Sequence, residues 1–104
     1  MTTRTFTRKR VEILIDAPLA QRLIQAAADV GIAGYTLIPV QSGAGRGGAW
    51  RDDQVSGATT KMIFLTIASQ DKAEKFVDLL APRLGEYSML LTLSDVEVVR
   101  GDRF

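Results

Sequence analysis

The spacing of apolar and polar residues predicts a strand and then a helix in the first third of the chain. Residues 11–16 alternate imperfectly and are rich in β-branched side chains, which favours a strand with one buried face. Asp16 and Pro18 are typical of a helix start, and apolar residues then recur every three or four positions over 19–30. Gly31 follows where a left-handed residue commonly ends a helix.

The rest of the chain continues with a strand, a second strand, a helix and a final strand. Over residues 35–41 a strand is predicted, in which Pro39 cannot donate to a ladder and so indicates an edge position. Residues 61–68 predict a strongly apolar strand, Ser69 can cap the next helix, and Pro82 ends or kinks its last turn. The stretch MLLTLSDVEVVR predicts one long strand or two short ones.

This order of elements predicts an α+β fold of the ferredoxin-like βαββαβ type, with a four-stranded antiparallel sheet and both helices on one face. The 104 residues match one domain, so we expect a single domain over residues 1–104. The strands carry more apolar residues than one sheet face uses: Ile13, Ile15, Ile63, Leu65, Leu91 and Leu93. We therefore expect a second packed surface in a homo-oligomer, the alternative being scattered surface residues.

Composition excludes several classes of chemistry. With 13 Lys plus Arg, 12 Asp plus Glu and a net charge of +1, the chain has no overall field that attracts nucleic acid or anionic membrane. The absence of Cys and His removes disulfides, thiolate nucleophiles, Ser-His-Asp catalysis and the usual zinc sites. No apolar run suits a membrane span or a signal peptide, so we expect a soluble, cytoplasmic protein without membrane insertion. The basic residues Arg4, Arg8, Lys9 and Arg10 are interpreted as a solvated terminus.

Glycine is concentrated in residues 31–48, GIAGYTLIPVQSGAGRGG, which hold six of the nine glycines. A Gly-rich polar loop is predicted over 42–60, and a loop of this length in a small domain is usually functional or disordered. Backbone N–H groups freed by glycine, together with the Arg46 guanidinium, can cradle a phosphate; a mobile surface loop is the commoner meaning of such a run. The run is neither a Walker loop nor a dinucleotide motif, since no Gly-Lys-Ser/Thr and no helix follow.

GIAGYT at 31–36 and GAGR at 43–46, with a predicted strand between them, resemble the PII signal-transduction superfamily. The likeness extends over residues 11–104. It implies a homotrimer that binds adenine nucleotides in clefts between subunits and engages a membrane transporter or an enzyme through a T-loop, here about 42–60. In that loop the partner-binding candidates are Trp50 and Arg51, although Trp50 could equally fold back onto its own subunit.

The same resemblance implies a nucleotide site. A threonine would contact the adenine region. Phosphates would be met by a glycine and an arginine at the loop base and by two C-terminal arginines. A lysine would stand at the far base of the T-loop. A glycine would lie in the short B-loop. In chain order these candidates are Thr36, Gly45, Arg46, Lys61, Gly85, Arg100 and Arg103.

Departures from the family pattern narrow the expected ligand. Gly47 stands where nitrogen-regulating PII proteins have a glutamine that helps hold magnesium and 2-oxoglutarate, and LGEYS at 84–88 lacks the Gly- and Lys-rich B-loop. GEYSMLL and SDVEVVRGDRF are more similar to the PII-like proteins associated with bicarbonate transport and carboxysomes. We therefore expect ADP or AMP, with ATP left open, in preference to ATP plus 2-oxoglutarate, no required metal, and regulation instead of catalysis.

Other modules share this order of elements. An ACT-like regulatory module, which binds amino acids, does not require a long Gly-Arg loop, and it is the main alternative. An RNA-binding sheet of the RRM type needs exposed aromatic residues, of which the strand at 61–68 offers only Phe64. An acylphosphatase-type enzyme could use an arginine loop, but the sequence carries no accompanying signature.

Overall fold

The computed structural model describes residues 4–45, 48–51 and 60–99, with the backbone alone at positions 50 and 51. Two short 3₁₀ turns, Ala17–Leu19 and Ala81–Arg83, adjoin the helices. The strands and helices are β1 (Phe6–Asp16), α1 (Ala20–Asp29), β2 (Thr36–Val40), β3 (Ser42–Gly45), β4 (Gly48–Arg51), β5 (Lys61–Ala68), α2 (Gln70–Leu80) and β6 (Leu90–Val98). Within the described ranges, no helix has both the length and the apolar character needed to cross a membrane.

Four strands form one antiparallel sheet in the order β2-β5-β1-β6, and β3 pairs with β4 in a separate two-stranded ribbon. Both helices pack against one face of the large sheet, since Leu23 of α1 and Phe76 of α2 share a buried cluster with Ile13 of β1. The predicted ferredoxin-like arrangement is therefore confirmed. Pro39 lies on the edge strand β2, as its missing N–H predicts.

The core is centred on Phe64, which has no exposed surface. Its ring stacks on Tyr35, with centroids 5.5 Å apart and planes 15° apart, and meets Phe76 at 5.8 Å and 53°. Such pairs contribute about 0.5–1.5 kcal/mol each beyond the area they bury. The other fully buried large side chains are Val11, Ile13, Ile15, Leu23 and Phe76.

The predicted helix boundaries are largely confirmed. Gly31 has a φ of +86° after α1, and Ser69 Oγ accepts a hydrogen bond from the Lys72 N–H at 3.3 Å before α2. Pro82 lies in the 3₁₀ turn that replaces the last turn of α2. Asp16 does precede the turn that contains Pro18, but its side chain makes no capping hydrogen bond.

The ends of the sheet differ from the prediction. β1 begins at Phe6, so Arg8, Lys9 and Arg10 lie in a strand and the interpretation of a solvated terminus is wrong for them. Lys9 forms an ion pair with Asp95 of β6, at 2.6 Å. Basic residues carry little strand propensity, and pairing with β6 decides their conformation. β6 is one continuous strand, the first of the two options that the sequence left open.

The predicted 42–60 loop contains regular structure. Its first part is the β3–β4 ribbon, in which Ser42 pairs with Arg51 and Gly45 with Gly48. Glycine and alanine have low strand propensity and no apolar alternation, so this pairing leaves no signal in the sequence. Residues 46, 47 and 52–59 of the predicted loop lie outside the described residues.

Register divides the predicted excess of apolar strand residues between the two sheet faces. Ile13 pairs with Phe64, and both are fully buried against the helices, so Ile63 and Leu65 point to the opposite face. Leu91 lies on the helix side because it pairs with Ile13. We call the helix-free side the open face; its apolar members are Phe6, Leu14, Ile38, Val40, Ile63, Leu65, Ile67, Leu90, Val96 and Val98. The sheet thus has a second apolar face. Of the residues that the sequence suggested for it, Ile63 and Leu65 lie there.

Candidate functional site

Three strands meet where the β3–β4 ribbon leaves the sheet. Lys61, the first residue of β5, pairs with Val40 at the end of β2 and with Asp16 at the end of β1. Ser42, which begins β3, follows Val40 after a single residue. We call Asp16, Val40 and Lys61 the loop base.

Two polar links fasten β5 to β1 at the loop base. Lys61 Nζ donates to Asp16 Oδ1 at 2.5 Å, with the two side chains 19% and 31% exposed. The Ala17 N–H donates to the Thr60 carbonyl oxygen at 2.8 Å. Because Lys61 alternates in phase with Ile63 and Leu65, its ammonium group lies on the open face. This places a positive charge, paired with the Asp16 carboxylate, beside the exit of the ribbon.

Thr36 lies on the same face as Lys61. It begins β2 and pairs with Leu65, which belongs to the open face, and its side chain is exposed. Four residue positions separate the Thr36–Leu65 pair from the Val40–Lys61 pair, a distance of about 13 Å along the sheet. The structure therefore brings these two predicted nucleotide ligands onto one surface of adjacent strands.

Gly45 stands at the outer end of the ribbon. It is the last residue of β3, three positions beyond Ser42, and is exposed. The resemblance assigned it to the loop base, whereas β3 carries it about 10 Å away from Ser42 along the strand direction. The predicted ligands Arg46, Arg100 and Arg103, together with the side chains of Trp50 and Arg51, lie outside the described residues.

Gly85 belongs to a turn at the other edge of the sheet. This turn leads into β6, whose first residue, Leu90, pairs with Leu14. β1 separates β6 from β5, so the pairing order places two strand spacings, about 10 Å, between the edge strand and Lys61. Gly85 itself is exposed, and a Cβ added there would have no neighbour within 4 Å.

The turn that contains Gly85 is anchored to the helix side of the molecule. Arg22 of α1 donates from Nη1 to Tyr87 Oη at 2.9 Å, and its guanidinium lies 5.4 Å from the centre of the tyrosine ring. Arg83 Nη1 lies 3.0 Å from Glu86 Oε2, and this hydrogen bond and the carboxylate charge raise the pKa of Arg83. One copy of the chain therefore presents Lys61 and Gly85 on different sides.

An open groove of about 370 Å³ lies between helices α1 and α2, beside this turn. Arg22 and Arg83 line it, and both guanidiniums already have partners in Tyr87 and Glu86. Across the described parts of the chain, no three His, Cys, Asp or Glu residues are grouped so that they could hold a metal ion.

Sequence reasoning missed two contacts that shape this region. Asp16 was assigned to a helix start, and nothing in a separation of 45 residues indicates that it pairs with Lys61. Arg22 and Tyr87 are 65 residues apart and attracted no prediction. Only the imperfect alternation around Asp16 could have suggested that this side chain faces away from the helices.

Comparison with known proteins supports one family. A family model described as nitrogen regulatory protein P-II matches residues 8–103. A sequence search of curated proteins matched none.

Several solved structures share the fold over nearly the whole chain. CPII, a nitrogen regulatory PII-like protein from Thiomonas intermedia K12 bound to ADP, AMP and bicarbonate, has a TM-score of 0.89 at 16% identity, covering 99% of this chain and 98% of that one. A structure described as a PII-like signalling protein from Thermus thermophilus has a TM-score of 0.81 at 25% identity, covering 96% and 97%. The GlnK–ATP complex of B. subtilis has a TM-score of 0.60 at 12% identity, covering 86% and 82%.

The family match and the fold agree with each other. The family model extends from β1 to beyond β6, and the overall fold is shared with the PII-like structures. With residues 8–103 of the 104 matched, this chain belongs to the nitrogen regulatory protein P-II family.

Proposed function

We propose that this protein binds an adenine nucleotide, ADP or AMP, in a cleft between neighbouring copies of a homotrimer. Binding would be transmitted to a partner through residues 42–60. The observation that carries the proposal is the placement of Thr36 and Lys61 on one sheet face, with Lys61 at the point where the ribbon leaves the sheet. It gains support from the fold shared with CPII, a protein bound to ADP, AMP and bicarbonate.

The chemistry of these residues suits the two ends of a nucleotide. The exposed Thr36 hydroxyl can both donate and accept, as the edge of an adenine ring requires. Lys61 supplies an ammonium charge for phosphate oxygens. The Gly45 backbone, about 10 Å along β3 from Ser42, and the Arg46 guanidinium would add donors for more distant phosphate oxygens. The separation of about 13 Å along the sheet is comparable to the length of an extended nucleoside diphosphate.

A second copy is needed to complete this site. The turn that holds Gly85 is fastened to α1 on the helix side, whereas Lys61 lies on the open face. A neighbouring copy could bring its own Gly85 turn, or Arg100 and Arg103, to the Lys61 of the first. The apolar open face favours such association, since Ile38 is 39% exposed and Leu90 is 62% exposed in the single chain.

The action we propose is regulation and not turnover. The chain has no His and no Cys, the side chains that most often act as general bases or nucleophiles. A nucleotide held at the loop base would bias the conformation of the segment that follows, which a partner then distinguishes. We propose that the protein is cytoplasmic and that its partner is a membrane transporter, such as one for bicarbonate, or else an enzyme. Trp50 and Arg51 would contact this partner.

Calorimetric titration with AMP, ADP, ATP and cyclic AMP tests nucleotide binding directly. We expect ADP and AMP to bind, and Arg46→Ala to weaken binding by about tenfold or more, because a charge-assisted hydrogen bond is lost. If none of the four nucleotides binds the wild-type protein, the proposal is contradicted. Binding of an amino acid instead would support the ACT-like alternative.

A further inference from the structure

The carboxylate of Asp16 lies beside the ammonium group of Lys61, so it would also adjoin an anionic ligand of Lys61. The two charged groups are 2.5 Å apart, and both side chains are more than two-thirds shielded from solvent. An ammonium group has three donors, so a phosphate can approach Lys61 beside the Asp16 carboxylate or in place of it. In either arrangement the incoming anion meets a negative charge already in place.

The backbone of Asp16 is held beside Lys61. It is the last residue of β1 and is the ladder partner of Lys61 in β5. The next residue, Ala17, donates its N–H to the Thr60 carbonyl oxygen at 2.8 Å, and Pro18 follows. These backbone contacts keep the Asp16 carboxylate within reach of any anion that binds Lys61.

We propose that Asp16 sets the charge preference of the anion site at Lys61, opposing each nucleotide more strongly as its phosphate chain lengthens. This inference rests on the proposed function, since it assumes that Lys61 meets the phosphates. Each phosphate added from AMP to ADP to ATP adds about one negative charge. At about 8 Å from the carboxylate, in a partly solvated environment, each charge weakens binding by about two- to sixfold. Asp16 would thus favour AMP and ADP over ATP.

A matched control is present on the same strand. Lys9 and Asp95 form an ion pair at 2.6 Å near the other end of β1, with side chains 28% and 64% exposed. Lys9 pairs with Ala68, which is buried against the helices, so this ion pair lies on the opposite side of the sheet from Lys61. Asp95→Asn removes the same charge from the protein as Asp16→Asn without altering the loop base.

The test is a titration of AMP, ADP and ATP into wild type, Asp16→Asn and Asp95→Asn, at one ionic strength and with EDTA present so that no divalent cation neutralises the phosphates. Asparagine retains an oxygen that can accept from Lys61. We expect Asp16→Asn to bind ATP and ADP more tightly, the ratio of ATP to AMP affinity rising by about four- to thirtyfold over two added charges. Asp95→Asn should leave that ratio within about twofold of wild type, since its charge is far from Lys61.

The outcomes separate this inference from the function on which it rests. If wild type binds nucleotides and Asp16→Asn leaves the ATP to AMP ratio unchanged, the inference is wrong while nucleotide binding stands. Weaker binding of all three nucleotides to a folded Asp16→Asn would also overturn it, because Asp16 would then serve to position Lys61. No binding to wild type would contradict both. If Asp16→Asn does not fold, as judged by circular dichroism, Asp16→Ser provides the same charge change with a residue that can cap the turn before α1.

Discussion

Thr66 donates a hydrogen bond from its Oγ1 to the carbonyl oxygen of Gly34, at 2.6 Å. Thr66 is 3% exposed and lies in β5, whereas Gly34 lies two residues before Thr36 in the segment that leads into β2. This contact fastens the start of the edge strand to the centre of the sheet. It also couples the stability of the fold to the position of a predicted nucleotide ligand.

Replacing Thr66 by valine removes the hydroxyl that donates to the Gly34 carbonyl oxygen. We expect the free energy of unfolding, measured by urea denaturation, to fall by about 1–3 kcal/mol. Thr92→Val is the control, since Thr92 is exposed and its Oγ1 lies 3.5 Å from the Glu12 carbonyl oxygen, too far for a strong bond. Equal losses in the two variants would show that burial of the Thr66 bond is unimportant.

Gly31 tests the end of α1. Its φ of +86° is strained for any residue with a Cβ, although the added atom would meet only the Lys72 side chain, at 3.5 Å. We expect Gly31→Ala to lower the free energy of unfolding by about 1–2 kcal/mol. Gly85→Ala is the control, because a Cβ there meets nothing and the backbone is not left-handed.

The same Gly85→Ala variant separates stability from binding at the turn. We expect its unfolding free energy to stay within about 0.5 kcal/mol of wild type. If the Gly85 backbone approaches a phosphate of a neighbouring copy closely, the added methyl group weakens ADP binding by about tenfold. Unchanged ADP affinity in this stable variant would remove Gly85 from the predicted site.

The Arg22–Tyr87 contact should position the turn more than it stabilises the fold. Both side chains reach solvent, so we expect Tyr87→Phe to cost about 0.5–1 kcal/mol in urea denaturation, because one hydrogen bond is lost while the ring remains over the guanidinium. A double-mutant cycle with Arg22→Gln measures the coupling between the two side chains. Additive losses would mean that the contact contributes nothing measurable.

The open face should mediate the proposed trimer. Ile38 is already 39% exposed in the single chain, so Ile38→Glu should leave the fold intact while placing a charge in the subunit interface. Sedimentation velocity should then show a shift from trimer to monomer. Leu79→Glu is the matched control, since Leu79 is 45% exposed on α2, on the helix side. A trimer that persists in Ile38→Glu and dissociates in Leu79→Glu would place the interface on the helices.

Local patterns predicted the elements well where one side chain decides the local conformation. Gly31 ends α1 because a positive φ is easily adopted by glycine, and Ser69 precedes α2 because its hydroxyl can accept from a free N–H. Strand β5 was predicted from Lys61 to Ala68 with its observed bounds, since its apolar and β-branched residues carry a strong signal. The ribbon of β3 and β4 was missed because its glycines and its two alanines carry no such signal.

The sequence suggested candidate residues for the site one by one, but not how they are arranged. The sequence motifs pointed to Thr36 and Lys61, and the structure places them on one face. That the Gly85 turn lies on the helix side follows from the Arg22–Tyr87 contact, which no motif contains. The role assigned to Gly45 at the loop base rested on resemblance alone, and its place at the outer end of the ribbon depends on a ladder that the sequence does not signal.

By itself, the amino-acid sequence determined the order of strands and helices, because periodicity and helix-end chemistry act over a few neighbouring residues. The tertiary structure alone decided which side of the sheet each strand residue occupies. Ile13 and Ile63 are both strand isoleucines, yet Ile13 faces the helices and Ile63 faces the other way, because register is set by pairing between distant strands. It likewise decided that Asp16 pairs with Lys61, because the last residue of β1 and the first of β5 become neighbours only once the antiparallel ladder has formed.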